Sequence, residues 1–326
     1  MTRLGSIGIA EIESARSRLR GVIARTPAVR CAAATGDKRI HLKLENLQPA
    51  GSFKLRPIGN AILSKPPDAL SAGVHTYSSG NSAVAMAWLA KRIGTTATAV
   101  VPEGAPESKL QLLRALDAHI VAQPFAQWWS AITSGDHPRL GSVYIDAVRD
   151  PAAFAGNGTI ALEILEDLPD VDAIFVPFGG GGLACGIANA VRALRPTVKV
   201  PAIKVVACEL DTAHPFKSAR EAGGPVDSPC EPGFVTGVGF GSVLPEMWPV
   251  ASRLIDDTMT VSLSEVVKAI RVMADANKVI AEGAGAIAVA AALSNRHRFR
   301  NVCAVVSGGN LDPALLAKIL RGEEIQ

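Results

Sequence analysis

Four consecutive glycines, Gly179, Gly180, Gly181 and Gly182, separate an apolar run at 173–178 from a second apolar stretch at 183–194. A turn between strand and helix needs one or two glycines for its backbone angles. Four signal a further demand, namely backbone N–H groups left bare at the positive end of a helix for an anionic ligand. The order of strand, glycine turn and helix recurs along the chain. The run 74–77 leads through Ser78, Ser79, Gly80 and Asn81 into a helical pattern at 81–92, and 97–101 leads through 102–106 into 107–117, followed by 119–122. The run 203–208 reads as another buried strand, and 302–306 precedes Ser307-Gly308-Gly309-Asn310 and a last helix at 313–320. Such alternation predicts an α/β fold of parallel sheets covered by helices on both faces, with ligands at the carboxyl ends of the strands. Two stretches break the rhythm. Residues 126–141, with Trp128 and Trp129 best read as packing, suggest a hinge, and the Gly- and Pro-rich 221–241 suggests a loop bordering a site.

Composition narrows the class. At 326 residues and 48% apolar, the chain can bury the cores of about two domains and is not disordered. The balance of 33 basic against 30 acidic residues, with no basic cluster interleaved with aromatics, argues against nucleic acid as a partner. The apolar stretch 286–293 is far short of the roughly 20 residues of a membrane span, and the N-terminus lacks the apolar region of a secretory signal. Five scattered cysteines without a CxxC pair predict neither a disulfide framework nor structural zinc, and they suit the cytoplasm.

Two segments carry candidate chemistry. Lys54, in Gly51-Ser52-Phe53-Lys54-Leu55-Arg56, falls at the start of an apolar helix. There the helix dipole disfavours a cation and lowers its pKa, and a neutral amine is what a Schiff-base lysine requires; a solvated first-turn lysine is the plainer alternative. The tetraglycine turn reads as a phosphate cradle. It is not a P-loop, because no Gly-Lys-Ser/Thr follows. An NAD-linked oxidoreductase is the different-class alternative, but the acidic ribose partner expected roughly 20 residues on is missing. The loops 78–82 and 307–310 offer hydroxyls and N–H groups suited to a carboxylate, or simply helix caps.

Taken in order, LENLQPAGSFKLR, SSGN, GNGTIALEIL, GGGGLACGIA, EGAGAIAVAAAL and VSGGN resemble the fold-type II pyridoxal-phosphate enzymes, and within them the serine/threonine dehydratase and serine racemase family. The resemblance runs from about residue 26 to 316. It implies two parallel or mixed-sheet three-layer domains of the tryptophan synthase β-like architecture. The large cofactor-binding domain would comprise 1–72 and 148–326, and a small mobile substrate domain 73–147. It also implies the cofactor pyridoxal 5'-phosphate, with Lys54 as the Schiff-base lysine and Phe53 packed on the ring. Asn81 would bond the phenolic oxygen, Gly179, Gly180, Gly181, Gly182 and Leu183 the phosphate, and Ser307 the pyridine nitrogen, with Glu282 near the ring. Ser78, Ser79, Gly80 and Asn81 would hold the substrate carboxylate, with Ser82 beside them where relatives usually carry His.

The activity so implied is elimination of a β-hydroxy amino acid, threonine, serine or a bulkier relative, to a 2-oxo acid and ammonia. A hydroxyl at the ring nitrogen, in place of a carboxylate, favours prompt β-elimination. Ser79 keeps a racemase open as the alternative, because its hydroxyl could return a proton on the face opposite Lys54. Glu209 and Ala213 match the family's cation site, but Pro215 stands where its acid should be, so no metal is expected. A homodimer acting on a small amino acid completes the expectation.

Overall fold

Short apolar runs form strands, and their side-chain alternation decides the layers. A computed structural model of the protein describes residues 4, 7–135, 140–194, 202–231, 233–238, 240–294 and 296–325. The strands are β1 (Ala28–Arg30), β2 (Arg39–Lys43), β3 (Val74–Tyr77), β4 (Ala97–Pro102), β5 (His119–Gln123), β6 (Val143–Tyr144), β7 (Ala173–Pro177), β8 (Lys204–Leu210), β9 (Asp257–Val261) and β10 (Asn301–Val305). They build a six-stranded sheet in the order β1-β2-β10-β7-β8-β9 and a four-stranded sheet in the order β5-β4-β3-β6. Every pairing is parallel except β1 with β2.

The central strands of the larger sheet are buried on both faces. Ile174, Val176, Val205, Ala207, Cys303 and Val305 join one core with the helices Pro151–Asp167, Gly182–Leu194 and Trp248–Leu254. Their neighbours Ala173, Phe175, Val206, Cys208, Val302 and Ala304 join the opposite core with the helices Leu263–Val272 and Gly283–Leu293. This is the period-2 signature of a sheet between two helical layers.

In the smaller sheet, Val74, Ala97, Ala99 and Val101 pack with the helices Leu55–Leu63 and Asn81–Ile93. The other face carries Tyr77 and Val100 under the helix Phe125–Ser134. Most of the stretch read as a hinge is therefore helix, since the aromatic face of 125–134 has a sheet to cover; residues 136–139 of that stretch lie outside the described residues. The expected helix at 107–117 ends two residues earlier, as Glu107–Ala115.

A polar cluster sits inside this apolar frame. Arg56, fully buried, donates Nε and Nη2 to Glu45 at 2.7 and 2.8 Å, and Nη1 and Nη2 to Glu163, both at 2.8 Å. Buried Lys43 donates to Glu163 and to the Thr26 carbonyl, each at 2.6 Å, and the Thr26 hydroxyl donates to Glu45 at 2.6 Å. Burial works against the charge on Arg56, yet the two carboxylates outweigh it and hold the guanidinium protonated. For Glu163 burial is likewise the largest influence and is overcome by Arg56 and Lys43, which hold its carboxyl below the usual range. The four charges cancel. Arg56→Met would leave two buried carboxylates facing one lysine, and is expected to cost about 3–5 kcal/mol, read as a lower midpoint in guanidinium unfolding.

Candidate active site

The chain leaving β2 returns along the exit of β10. Asn46 N donates to Val306 O at 3.0 Å, Phe53 N to Ser307 O at 2.9 Å, and Gly309 N to Gly51 O at 2.9 Å, while Ser52 pairs with Gly308. This short ladder carries Lys54 to the N-cap of the helix Leu55–Leu63, its Nζ 5.1 Å from the centre of the Phe53 ring. Burial pushes the amine down to about 8, against the pull of Asp146 and Glu282. The lowered pKa expected from the sequence is present, and its largest cause is desolvation.

Opposite stands the loop after β3. Ser78 Oγ accepts from Gly80 N at 3.1 Å, which fixes the turn into the helix Asn81–Ile93. Ser78, Ser79, Gly80, Asn81 and Ser82 are all half-buried there. Asn81 crosses to the other sheet: its Nδ2 donates to Glu282 Oε1 at 2.6 Å, and its Oδ1 accepts from Asn310 Nδ2 at 2.8 Å. Asn310 also donates to Ala50 O at 3.0 Å, so the orientation of the Asn81 amide is determined at both ends. Burial pushes the Glu282 carboxyl up to about 7, although Asn81, Lys109 and Lys54 favour its charged form. Glu282 lies so close to the β10 exit that a Cβ on Gly308 would meet its Oε1 at 2.2 Å.

The third wall is the tetraglycine turn between β7 and the helix Gly182–Leu194. Gly181 has φ +84°, a left-handed conformation that favours glycine, and a Cβ on Gly179 would lie 2.4 Å from Gly237 O. The first bond of the helix runs from Cys185 N to Gly181 O at 2.9 Å, so the N–H groups of Gly182, Leu183 and Ala184 precede the intrahelical ladder. Beside them Asn157 Oδ1 is buried and without a hydrogen-bond partner among the described residues. Gly237 belongs to the segment read from the sequence as a loop bordering a site, and it does border this turn.

The structure thus gathers Lys54, Phe53, Asn81, Glu282 and Ser307 where β2, β3 and β10 end, with the glycine turn at the end of β7. Glu209, by contrast, faces inward. Its carboxylate accepts from Phe216 N at 2.7 Å, Lys217 N at 2.9 Å and Thr258 Oγ1 at 3.1 Å. Among the described residues no group of three or more His, Cys, Asp or Glu is placed to hold a metal ion. Of the tryptophans, Trp128 is packing, with its Nε1 donating to Val100 O at 3.0 Å, whereas Trp129 stands against Phe240 with ring centres 5.8 Å apart. Sequence reasoning missed Asn310, Asn157 and Lys109. Asn310 lay within the 307–310 loop, read as suited to a carboxylate or to a helix cap and not as the partner of Asn81, and Lys109, whose Nζ reaches Thr236 Oγ1 at 3.3 Å, looks like any surface lysine of an amphipathic helix.

Comparison with known proteins agrees with this geometry. A family model described as pyridoxal-phosphate dependent enzyme matches residues 19–308. The serine racemase of Arabidopsis thaliana is 33% identical over 321 residues, covering 93% of each chain. The L-threonine ammonia-lyase of Thermotoga maritima is 33% identical over 322 residues, 96% of this chain and 78% of its own. The structure of maize serine racemase superposes with a TM-score of 0.86 at 31% identity, covering 97% of this chain and 98% of that one.

The crowding at the β10 exit gives a test in which two effects oppose each other. Replacing the helical Gly285 by Ala should gain about 1 kcal/mol from helix propensity. The new Cβ, however, would stand 2.2 Å from Gly308 O, a backbone atom that cannot swing aside. Overpacking should win, so Gly285→Ala is expected to destabilise the protein by about 1–3 kcal/mol in denaturant titration.

Proposed function

Because the chain belongs to the pyridoxal-phosphate-dependent enzyme family, we propose that it is an ammonia-lyase, a dehydratase that turns a β-hydroxy amino acid into a 2-oxo acid and ammonia. The observation that carries this reading is the desolvated Lys54 amine, about 8 in pKa, beside the exit of β10 with the Asn81–Glu282 pair, the bared N–H groups of the glycine turn lying at the end of the neighbouring strand β7.

The residues present fit the cofactor by the chemistry of their donors. An aldehyde needs a neutral amine, which Lys54 supplies. A phosphate needs N–H groups at a positive helix end, which Gly179, Gly180, Gly181, Gly182 and Leu183 supply. Phe53 would lie against the ring, Asn81 would donate to its phenolic oxygen with Glu282 close by, and Ser307 would meet its nitrogen through a hydroxyl. When bound, the cofactor supplies the electron sink that makes the α-hydrogen acidic.

The remaining work falls to the chain. Ser78, Ser79, Gly80 and Asn81 hold the substrate carboxylate, and Ser82, smaller than an imidazole, leaves room beside it. Lys54 Nζ takes the α-proton, work for which an amine near neutrality is suited. The β-hydroxyl leaves as water, and the enamine hydrolyses to the 2-oxo acid and ammonia. Racemisation is the second reading, favoured by the half-buried Ser79 hydroxyl as a proton donor on the other face.

The two readings separate by product. With L-serine and L-threonine the expected outcome is 2-oxo acid formation that disappears in Lys54→Ala; D-serine accumulating without oxo acid would overturn it. Ser79→Ala should depress any racemisation well below elimination, as followed by chiral chromatography beside oxo-acid release. We further infer a mobile substrate unit at 73–147 against 1–72 and 148–326, supported by the separate sheet of β3 to β6, and a homodimer in the cytoplasm, which sedimentation and fractionation would test. Among the described residues no helix is long and apolar enough to cross a membrane.

Lys54 also yields a pH dependence. Its neutral fraction rises with pH and saturates above its own pKa, about 8 rather than the ordinary 10.5. Uptake of pyridoxal phosphate by the apoenzyme, followed as growth of visible absorbance, should therefore accelerate with pH and level off a little above 8. A rate still climbing towards pH 10 would contradict a desolvated Lys54.

A further inference from the structure

Phe240 and Trp129 meet across the two sheets beside the glycine turn. A Cβ on Gly180 would lie 4.0 Å from Phe240 Cζ and 3.2 Å from Val148 Cγ2, so both apolar side chains stand over that glycine. Trp129 faces Phe240 at 5.8 Å and stacks on Phe125 at 6.2 Å with their planes 5° apart. Both Trp129 and Phe240 are half-buried, leaving aromatic surface uncovered. Trp128, from the same helix, packs with Tyr77, the residue immediately before the Ser78–Ser82 loop. The helix Phe125–Ser134 therefore packs on the strand that leads into the carboxylate loop and reaches, through Trp129 and Phe240, the glycine turn.

The arginine that holds this helix is already committed. Arg149 donates Nη1 to Ile132 O and Nη2 to Thr133 O, both at 2.8 Å, and its Nε is paired with Glu246. A guanidinium at the carbonyl end of the helix Phe125–Ser134 completes that helix and holds Trp129 in place. It is not free to meet an acidic substituent.

We propose that Trp129 and Phe240, with Val148, form an apolar wall that selects β-hydroxy amino acids bearing a bulky apolar or aryl group on the β-carbon. This rests on the elimination reading for its substrate class. The wall borders the glycine turn at Gly180, and in this reading a β-substituent reaches it from a carboxylate held at 78–82. An aryl group there removes apolar area from water and can meet Phe240 and Trp129 edge to face, whereas serine leaves the wall wet.

The test compares kcat/KM for threo-3-phenylserine, threonine, serine and 3-hydroxyaspartate, together with binding of unreactive phenylalanine and alanine to the holoenzyme by calorimetry. The wild type is expected to favour phenylserine over serine and to bind phenylalanine more tightly than alanine. In Phe240→Ala and in Trp129→Ala both ratios should fall by about 10-fold or more, the usual worth of lost apolar complementarity in a pocket. Phe240→Leu, which keeps apolar bulk and guards against misfolding, should retain most of the preference. Ratios unchanged in both alanine variants, or 3-hydroxyaspartate as the preferred substrate, would overturn the wall. Absence of oxo acid from every substrate would instead sink the elimination reading, and the phenylalanine-to-alanine ratio would still decide about the wall.

Discussion

Lys54 sits two residues before Arg56, a fully buried side chain held by four hydrogen bonds to two carboxylates. Its guanidinium reaches Glu45, on the turn after β2, and Glu163, in the helix Pro151–Asp167, while Lys43 at the end of β2 reaches Glu163 as well. Three segments distant in sequence are thereby held to one point. Removing ions from water costs several kcal/mol each, so the cluster contributes little net stability compared with apolar side chains of similar volume. It supplies selectivity of arrangement instead. A sliding of the helix Leu55–Leu63 by one turn would strand buried charges, which no apolar contact there would do. The depth and direction of Lys54 are consequences of that rule.

The same economy of placement governs the site's electrostatics. Lys54 and Glu282 both lose solvation, and burial moves their pKa values towards each other, to about 8 and about 7. Both shifts follow from loss of water around the groups, and Asn81, itself held by Asn310, fixes the carboxyl in place. The glycines around them follow from backbone approach. Gly179 faces Gly237, and Gly285 faces Gly308, because loops from different elements must come within a side chain's width of the cleft.

Much of this was legible in the amino-acid order. The strands at 74–77 and 173–177, the helices that follow them and the glycine turns at their junctions declare themselves, because α/β units repeat a local pattern of apolar run, turn and amphipathic helix. β2 does not, since Arg39, His41 and Lys43 alternate with Ile40 and Leu42 in place of a continuous apolar run, and Lys43 is buried only because Glu163 lies 120 residues away in sequence and beside it in space. The antiparallel β1 and the two-residue β6 are too short to carry a period. In the site, residues whose work is done by the backbone were visible as glycines. Asn157, Lys109 and Phe240 were not, since their meaning depends on which distant loop they meet. The Trp128-Trp129 pair shows the boundary well: both look like packing, but one helical step of about 100° turns Trp128 into the sheet and Trp129 towards Phe240.

The ladder that carries Lys54 has one further consequence. Its first half, through Ser52 and Phe53, is bonded to the exit of β10, whereas its continuation, Leu55, Ile58 and Ile62, belongs to the core of the smaller sheet. The same helix, Leu55–Leu63, is tied back to the helix Pro151–Asp167, through Arg56 to Glu163 at 2.8 Å and Asn60 Nδ2 to Ala152 O at 2.7 Å. Lys54 is therefore gripped on both sides along the chain, by the exit of β10 before it and by Pro151–Asp167 after it, and its backbone has no slack to take up when its surroundings change.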